Sequence, residues 1–87
     1  MYGVYVQNKV LKSVLRMPAL EQARFRVLIH KLEQEGPIQK SFPNFSDLGQ
    51  GRYHCHLSYK WVACWKWEKG SIRIEVYYAG SREKAPY

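Results

Sequence analysis

Cysteine is scarce in this chain. Only two occur in 87 residues, Cys55 and Cys64, too few for a disulfide scaffold or a four-thiol metal site. Both sit in strand-like sequence and are expected to be buried thiols in a reducing compartment. No apolar run approaches the ~20 residues that cross a bilayer. No leader is recognisable ahead of the first strand-like stretch, so the expectation is a cytoplasmic protein with no membrane partner. There is no internal repeat and no low-complexity segment. A chain of this length has no room for a second core, so 1–87 reads as a single domain. Acidic residues are also few. Seven Asp and Glu face 14 Lys and Arg, giving a net charge of +7, which favours a polyanionic partner, either nucleic acid or an acidic protein segment. Residues 1–36 carry six basic and three acidic groups, and 37–87 carry eight and four. A basic patch must therefore be assembled by folding.

Aromatic and β-branched residues are plentiful, and they crowd toward one end. All three Trp and five of the seven Tyr lie between Arg52 and Tyr87. Three runs there, 52–58, 61–68 and 72–79, are separated by short turn signals and predict an antiparallel three-strand unit. Lys69-Gly70-Ser71 is a good hairpin turn. Ahead of it, residues 2–6 are β-prone and suit an edge strand. Asn8 is placed to cap a helix over 8–16, with Val10, Leu11, Val14 and Leu15 as its apolar stripe. Met17-Pro18 ends it. Pro18 suits the first turn of a second helix over 18–35, whose apolar face includes Leu20, Phe25, Val27, Leu28 and Leu32. Gly36-Pro37 stops it. Arg16, Arg24, Arg26, Lys31 and His30 read as solvent-facing. Residues 38–51 carry Pro43, Asn44 and three glycine or aspartate turn formers, and read as a loop. The expected fold class is α+β: two N-terminal helices packed on one face of an antiparallel sheet, in the order β-α-α-β-β-β.

Alternation along 52–58 sends Tyr53, Cys55 and Leu57 toward the helices and Arg52, His54 and His56 to the open face. In the next strand Val62, Cys64 and Lys66 alternate with Trp61, Ala63, Trp65 and Trp67. In the last, Ile72, Ile74, Val76 and Tyr78 alternate with Arg73, Glu75, Tyr77 and Ala79.

Chemistry-bearing residues gather in this same stretch. His54 and His56 share a strand face about 7 Å apart. Three readings fit them. A His-x-His pair can supply two zinc ligands, but no third is spaced as a zinc site needs. The pair can simply be half-exposed side chains of a sheet. Or it can be an acid–base pair, since imidazoles titrate near neutral pH, and phosphodiester cleavage needs such a pair plus a cation. Arg82 offers a planar fork suited to phosphate. Tyr87 offers a phenol able to stack on a base or move a proton. Arg52, Lys60, Lys66 and Lys84 are candidate RNA-binding cations around them.

Tyr53-His-Cys-His-Leu57, Trp61-Val-Ala-Cys-Trp65 and Ile74-Glu-Val-Tyr-Tyr-Ala-Gly-Ser-Arg-Glu-Lys-Ala-Pro-Tyr87 resemble segments of the RelE/ParE toxin superfamily, most closely its RelE-like mRNA interferase branch. The element order resembles that family along the whole chain; the specific motifs lie only in 52–87. The resemblance implies a toxin of a type II toxin–antitoxin pair that cleaves mRNA on the ribosome without a metal or other cofactor, with a cognate antitoxin as partner. It places His54 and His56 where the family has two lysines, and Arg82 and Tyr87 at the family's tail arginine and tyrosine. One departure stands out. Where the family has an arginine on the second strand of the sheet unit, this chain has Val62 or a close neighbour, and only Lys60 or Lys66 could substitute. A gyrase-inhibiting ParE-like toxin, or a non-catalytic antitoxin- or RNA-binding domain of the same fold, remain alternatives.

Overall fold

The computed structural model describes residues 1–87. It contains a five-stranded sheet with two helices against one face. The elements run β1 (Gly3–Val6), α1 (Asn8–Leu15), α2 (Ala19–Glu35), β2 (Ser46–Gly49), β3 (Arg52–His56), β4 (Trp61–Trp67) and β5 (Arg73–Ser81). A single 3-10 turn, Arg82–Lys84, follows. Strand order across the sheet is β1-β5-β4-β3-β2. β2, β3, β4 and β5 are antiparallel neighbours. β1 lies at the expected edge but pairs parallel to β5, so the sheet is mixed.

The helices begin differently from the sequence expectation. Gln7, not Asn8, is the cap residue of α1, and no side chain caps it; Asn8 is already helical. Pro18 is likewise the cap residue of α2, with extended ψ, rather than part of its first turn. Its carbonyl still accepts the Gln22 amide at 3.0 Å. Only Val10 and Val14 of the α1 stripe are buried. Leu11 and Leu15 stay 47% and 74% exposed, because an eight-residue helix reaches the sheet with little more than one row.

The core lies between α2 and the sheet. Phe25, Leu28 and Leu32 meet Tyr53, Cys55, Ala63, Trp65, Ile74 and Val76. Burying each of these aliphatic side chains is worth roughly 1.5–3 kcal/mol. Trp65 is fully buried, and its indole N–H donates to the Pro37 carbonyl at 3.0 Å, so its polar handle is satisfied. Phe45 and Tyr53 stack at 5.9 Å, which pins the 38–51 segment to the sheet. That segment is not all loop. Ser46–Gly49 pairs with β3 as an additional edge strand, a feature too short and polar to show as alternation. Gly51 closes the turn at φ +75°, and a Cβ there would meet the Trp67 carbonyl oxygen.

A bulge in β5 changes which residues face the helices. Cys64 is opposite Tyr78, yet the next residue, Trp65, is opposite Val76. Tyr77 is the extra residue, and side-chain parity reverses there. Ala79 therefore joins Ile74 and Val76 in the core, contrary to a strict two-residue alternation. Ile72 lies outside the strand and is 72% exposed.

Candidate functional site

Register builds the site. On the sheet face away from the main core, His54 is opposite Cys64 and His56 is opposite Val62; Cys64 and Val62 face Tyr78 and Gly80 in turn. Cys64 and Val62 are both fully buried. They form an apolar floor on which the two imidazoles stand. The His54 and His56 rings are 5.7 Å apart. Sequence alternation puts them on one face, but not as an open row. They are only 7% and 8% exposed.

The cover comes from two segments. β5 ends at Ser81. The Arg82 amide donates to the Lys60 carbonyl at 2.7 Å, and the Ala85 amide to the Arg82 carbonyl at 3.3 Å. This turn carries the chain back over the sheet. The Tyr87 ring comes to rest 4.2 Å from the His54 ring, tilted by 38°. Gly80 is needed at the start of this turn. A Cβ there would lie 2.9 Å from the Tyr78 hydroxyl, which donates to the Ser81 carbonyl at 2.6 Å. From the other side, Pro43 accepts the His56 amide at 2.8 Å, and Asn44, held at φ 54°, brings its side-chain amide to 3.5 Å from His56 Nδ1.

Burial and charge tune these groups in a consistent way. Desolvation lowers the pKa of His54, and the neighbouring His56 lowers it further. Desolvation lowers His56 too; the Arg82 charge adds to this, while hydrogen bonding at the Ser58 backbone opposes it. Burial raises the Tyr87 phenol, as does Cys64, against the opposing pull of Arg82. At neutral pH the site thus holds two neutral imidazoles and a protonated phenol beside a permanent cation. His54 Nδ1 is buried without a hydrogen-bond partner. Burial pushes both thiols up to about 12, so neither cysteine is a nucleophile at neutral pH. No cluster of three His, Cys, Asp or Glu side chains is placed to hold a metal ion.

The structure brings His54, His56 and Tyr87 together, with Arg82 near enough to bias two of them. The Arg82 guanidinium sits 4.9 Å above the ring of Tyr59, an exposed residue of the β3–β4 turn that the sequence reading passed over. Lys60 and Arg82 line one cleft; Lys84, on the same turn, is exposed. Arg52 and Lys66 lie elsewhere. They face each other at the far end of β3 and β4, where Arg52 is 5.9 Å from the Tyr77 ring and Lys66 pairs with Glu75 at 3.4 Å. His56 and Val62 are at the opposite end of that strand pair. Arg24 is not simply solvent-facing: Nη1 donates to the Leu57 carbonyl at 2.8 Å. Lys31 shares a groove with His56, so it is not remote from the site.

No protein-family model matches the chain, and no curated protein matches its sequence. Solved structures do match its fold. The archaeal RelE–RelB complex from Pyrococcus horikoshii OT3 contains a chain that aligns with 97% of this one and 98% of its own length, at TM-score 0.75 and 18% identity. The isolated E. coli RelE toxin aligns over 99% and 89%, at 0.74 and 12%. The YoeB–YefM complex from Staphylococcus aureus aligns over 92% and 95%, at 0.69 and 7%. The chain has the fold of the RelE/ParE toxin superfamily.

Proposed function

We propose that this RelE-fold chain is the toxin of a type II toxin–antitoxin pair, and that it is a metal-independent endoribonuclease that cleaves mRNA on the ribosome and so stops translation in the cytoplasm. Its partners on this reading are a cognate antitoxin and ribosome-bound mRNA. The observation that carries the reading is the convergence of His54, His56 and Tyr87 beside Arg82. The antitoxin rests on the toxin–antitoxin complexes that share the fold. No helix is long and apolar enough to cross a membrane.

The tuning suggests a division of labour. A neutral imidazole of the His54/His56 pair takes the proton of the ribose 2′-hydroxyl, whose oxygen attacks the adjacent phosphorus. Arg82 stabilises the negative charge growing on the non-bridging oxygens. The bond to the 5′-oxygen breaks, and Tyr87 gives that oxygen its proton. The products are a 2′,3′-cyclic phosphate and a 5′-hydroxyl. Transfer from imidazolium to phenolate resets the site. General acid–base partners of this kind each contribute roughly 10²–10⁴-fold. On the family resemblance the second-strand arginine falls at Val62 or a close neighbour, and Val62 is the residue opposite His56. The floor under His56 is apolar there, and Arg82 is the cation that biases His56.

The test is expression without a partner, followed by mapping of mRNA ends and plasmid topology, and then in vitro cleavage of ribosome-bound mRNA. Cyclic-phosphate ends are expected, and the His54→Ala, His56→Ala double variant should give none. Full cleavage by that variant would sink the acid–base role. Altered plasmid supercoiling without mRNA ends would instead assign the fold to gyrase inhibition.

A further inference from the structure

We propose that the groove beside His56, between α2 and residues 41–43, is a nucleotide subsite, with Arg24 and Lys31 holding a phosphate and Phe42 and Pro43 receiving the base. This rests on the RNA-cleaving reading and adds a place for a nucleotide next to the scissile one. The groove has a volume of about 470 Å³, within the ~300–1,000 Å³ range of small-ligand sites. His56 forms part of its wall, so a nucleotide in it lies directly against the candidate cleavage site.

Charge sets this groove apart. Four other cavities of about 320–540 Å³ each have at least one glutamate in their walls. This one has two cations and no carboxylate. Arg24 is anchored through Nη1 to the Leu57 carbonyl at 2.8 Å, which fixes the guanidinium and leaves its other N–H groups for a ligand. Lys31 is paired with Glu35 at 3.3 Å, but both side chains are well exposed. Such a pair is worth little and is readily exchanged for a phosphate. Phe42 and Pro43 add the flat apolar surfaces on which a base stacks without sequence preference. In the sequence the two cations belong to a helix and the apolar pair to a loop, and only the fold joins them.

The probe is an RNA trinucleotide with 2′-deoxy sugars at its first and central positions, which lacks both attacking hydroxyls and so binds but is not cut. It is titrated into the isolated protein and followed by NMR. Shifts are expected at Arg24, Lys31, Phe42 and His56. Lys31→Gln, which disturbs no buried contact, should weaken binding about tenfold, and Arg24→Gln at least as much. A neutral methylphosphonate at one phosphate should cost wild type the same factor and the Lys31→Gln, Arg24→Gln variant nothing further. Lys9→Gln, Lys12→Gln on α1 is the equal-charge control and should have a smaller effect. Absence of shifts at Arg24 and Lys31, or equal losses in the two double variants, overturns the subsite. Shifts without cleavage of ribosome-bound mRNA by wild type would leave the subsite standing and remove the nuclease. Cleavage without shifts would do the reverse.

Discussion

Tyr87 lies against His54 with ring centroids 4.2 Å apart, although β4 separates the strand that bears His54 from the strand that leads to Tyr87. The contact places a phenol over a buried imidazole, and the two groups are pushed in opposite directions by burial. A base and an acid set apart in this way can share one reaction at neutral pH.

Tyr87 should therefore separate stacking from proton transfer. Tyr87→Phe keeps the ring over His54 and removes the phenol. Tyr87→Ala removes both. On the proposed mechanism both variants lose cleavage by roughly 10²–10⁴-fold, with unchanged thermal midpoints because the side chain is 52% exposed. The measurement is single-turnover cleavage of ribosome-bound mRNA. If Tyr87→Phe cleaves at the wild-type rate, the residue stacks and transfers no proton.

The pH dependence follows from the same shifts. Both histidines titrate below the ordinary 6.5, so the neutral bases persist into mildly acidic solution. Cleavage should be flat from neutral pH upward and fall only below 6.5. On the alkaline side the phenol is raised above 10, which removes any early loss. Stability responds with the same sign. Between the lowered folded values and 6.5 the unfolded chain binds more protons, so stability declines as pH falls through that window. Replacing both histidines with Gln should flatten the decline in a urea-melt series. A second loss, below 4.5, belongs to Glu75, whose carboxyl is lowered first by the Gln7 hydrogen bond, and should survive that replacement.

Fold stability depends on positions away from the site. Trp65→Phe leaves the Pro37 carbonyl without its indole donor and opens a cavity at a fully buried core position. A loss of about 2–4 kcal/mol is expected by denaturant titration. Gly51→Ala places a methyl against the Trp67 carbonyl at positive φ and should cost more than 1 kcal/mol. Lys69→Ala, in the nearby exposed hairpin, should cost less than about 0.5 kcal/mol. A Gly51→Ala protein as stable as wild type would contradict the close approach of these strands.

Much of this architecture is legible in the residues. Period-two alternation placed β3 and β4 to within two residues. Gly36-Pro37 marked the end of α2. His-x-His alternation put both imidazoles on one face. What escaped has physical causes. β2 is four residues, Ser-Asp-Leu-Gly, with Leu48 as its single large apolar side chain, and it is stabilised by pairing with β3, so it carries no hydrophobic pattern of its own. The β5 bulge reversed parity at Tyr77 because twist at a strand ladder is a tertiary matter. Burial of the histidines depends on the 3-10 turn that folds Tyr87 over them and on Asn44 in left-handed geometry; a strand taken alone shows neither. Arg24 and Lys31 read as ordinary solvated charges because their groove is shared by segments distant in sequence.

Tyr59 is the residue whose role was least visible and whose geometry is most specific. It is 74% exposed, it makes no core contact, and its ring lies 4.9 Å beneath the Arg82 guanidinium. Arg82 is in turn the cation that biases His56. A cation–π contact at an exposed position is worth about 0.5–1 kcal/mol, enough to hold a flexible side chain in one place for a factor of roughly two to five in rate. On the proposed mechanism Tyr59→Ala should lower the maximal cleavage rate by that factor with little change in the protein concentration at half-maximal rate. Tyr59→Phe and Tyr59→Trp should restore it, and Tyr59→Leu should not. If Tyr59→Ala instead weakens substrate binding at full maximal rate, the ring serves as a stacking surface for RNA and not as the support for Arg82.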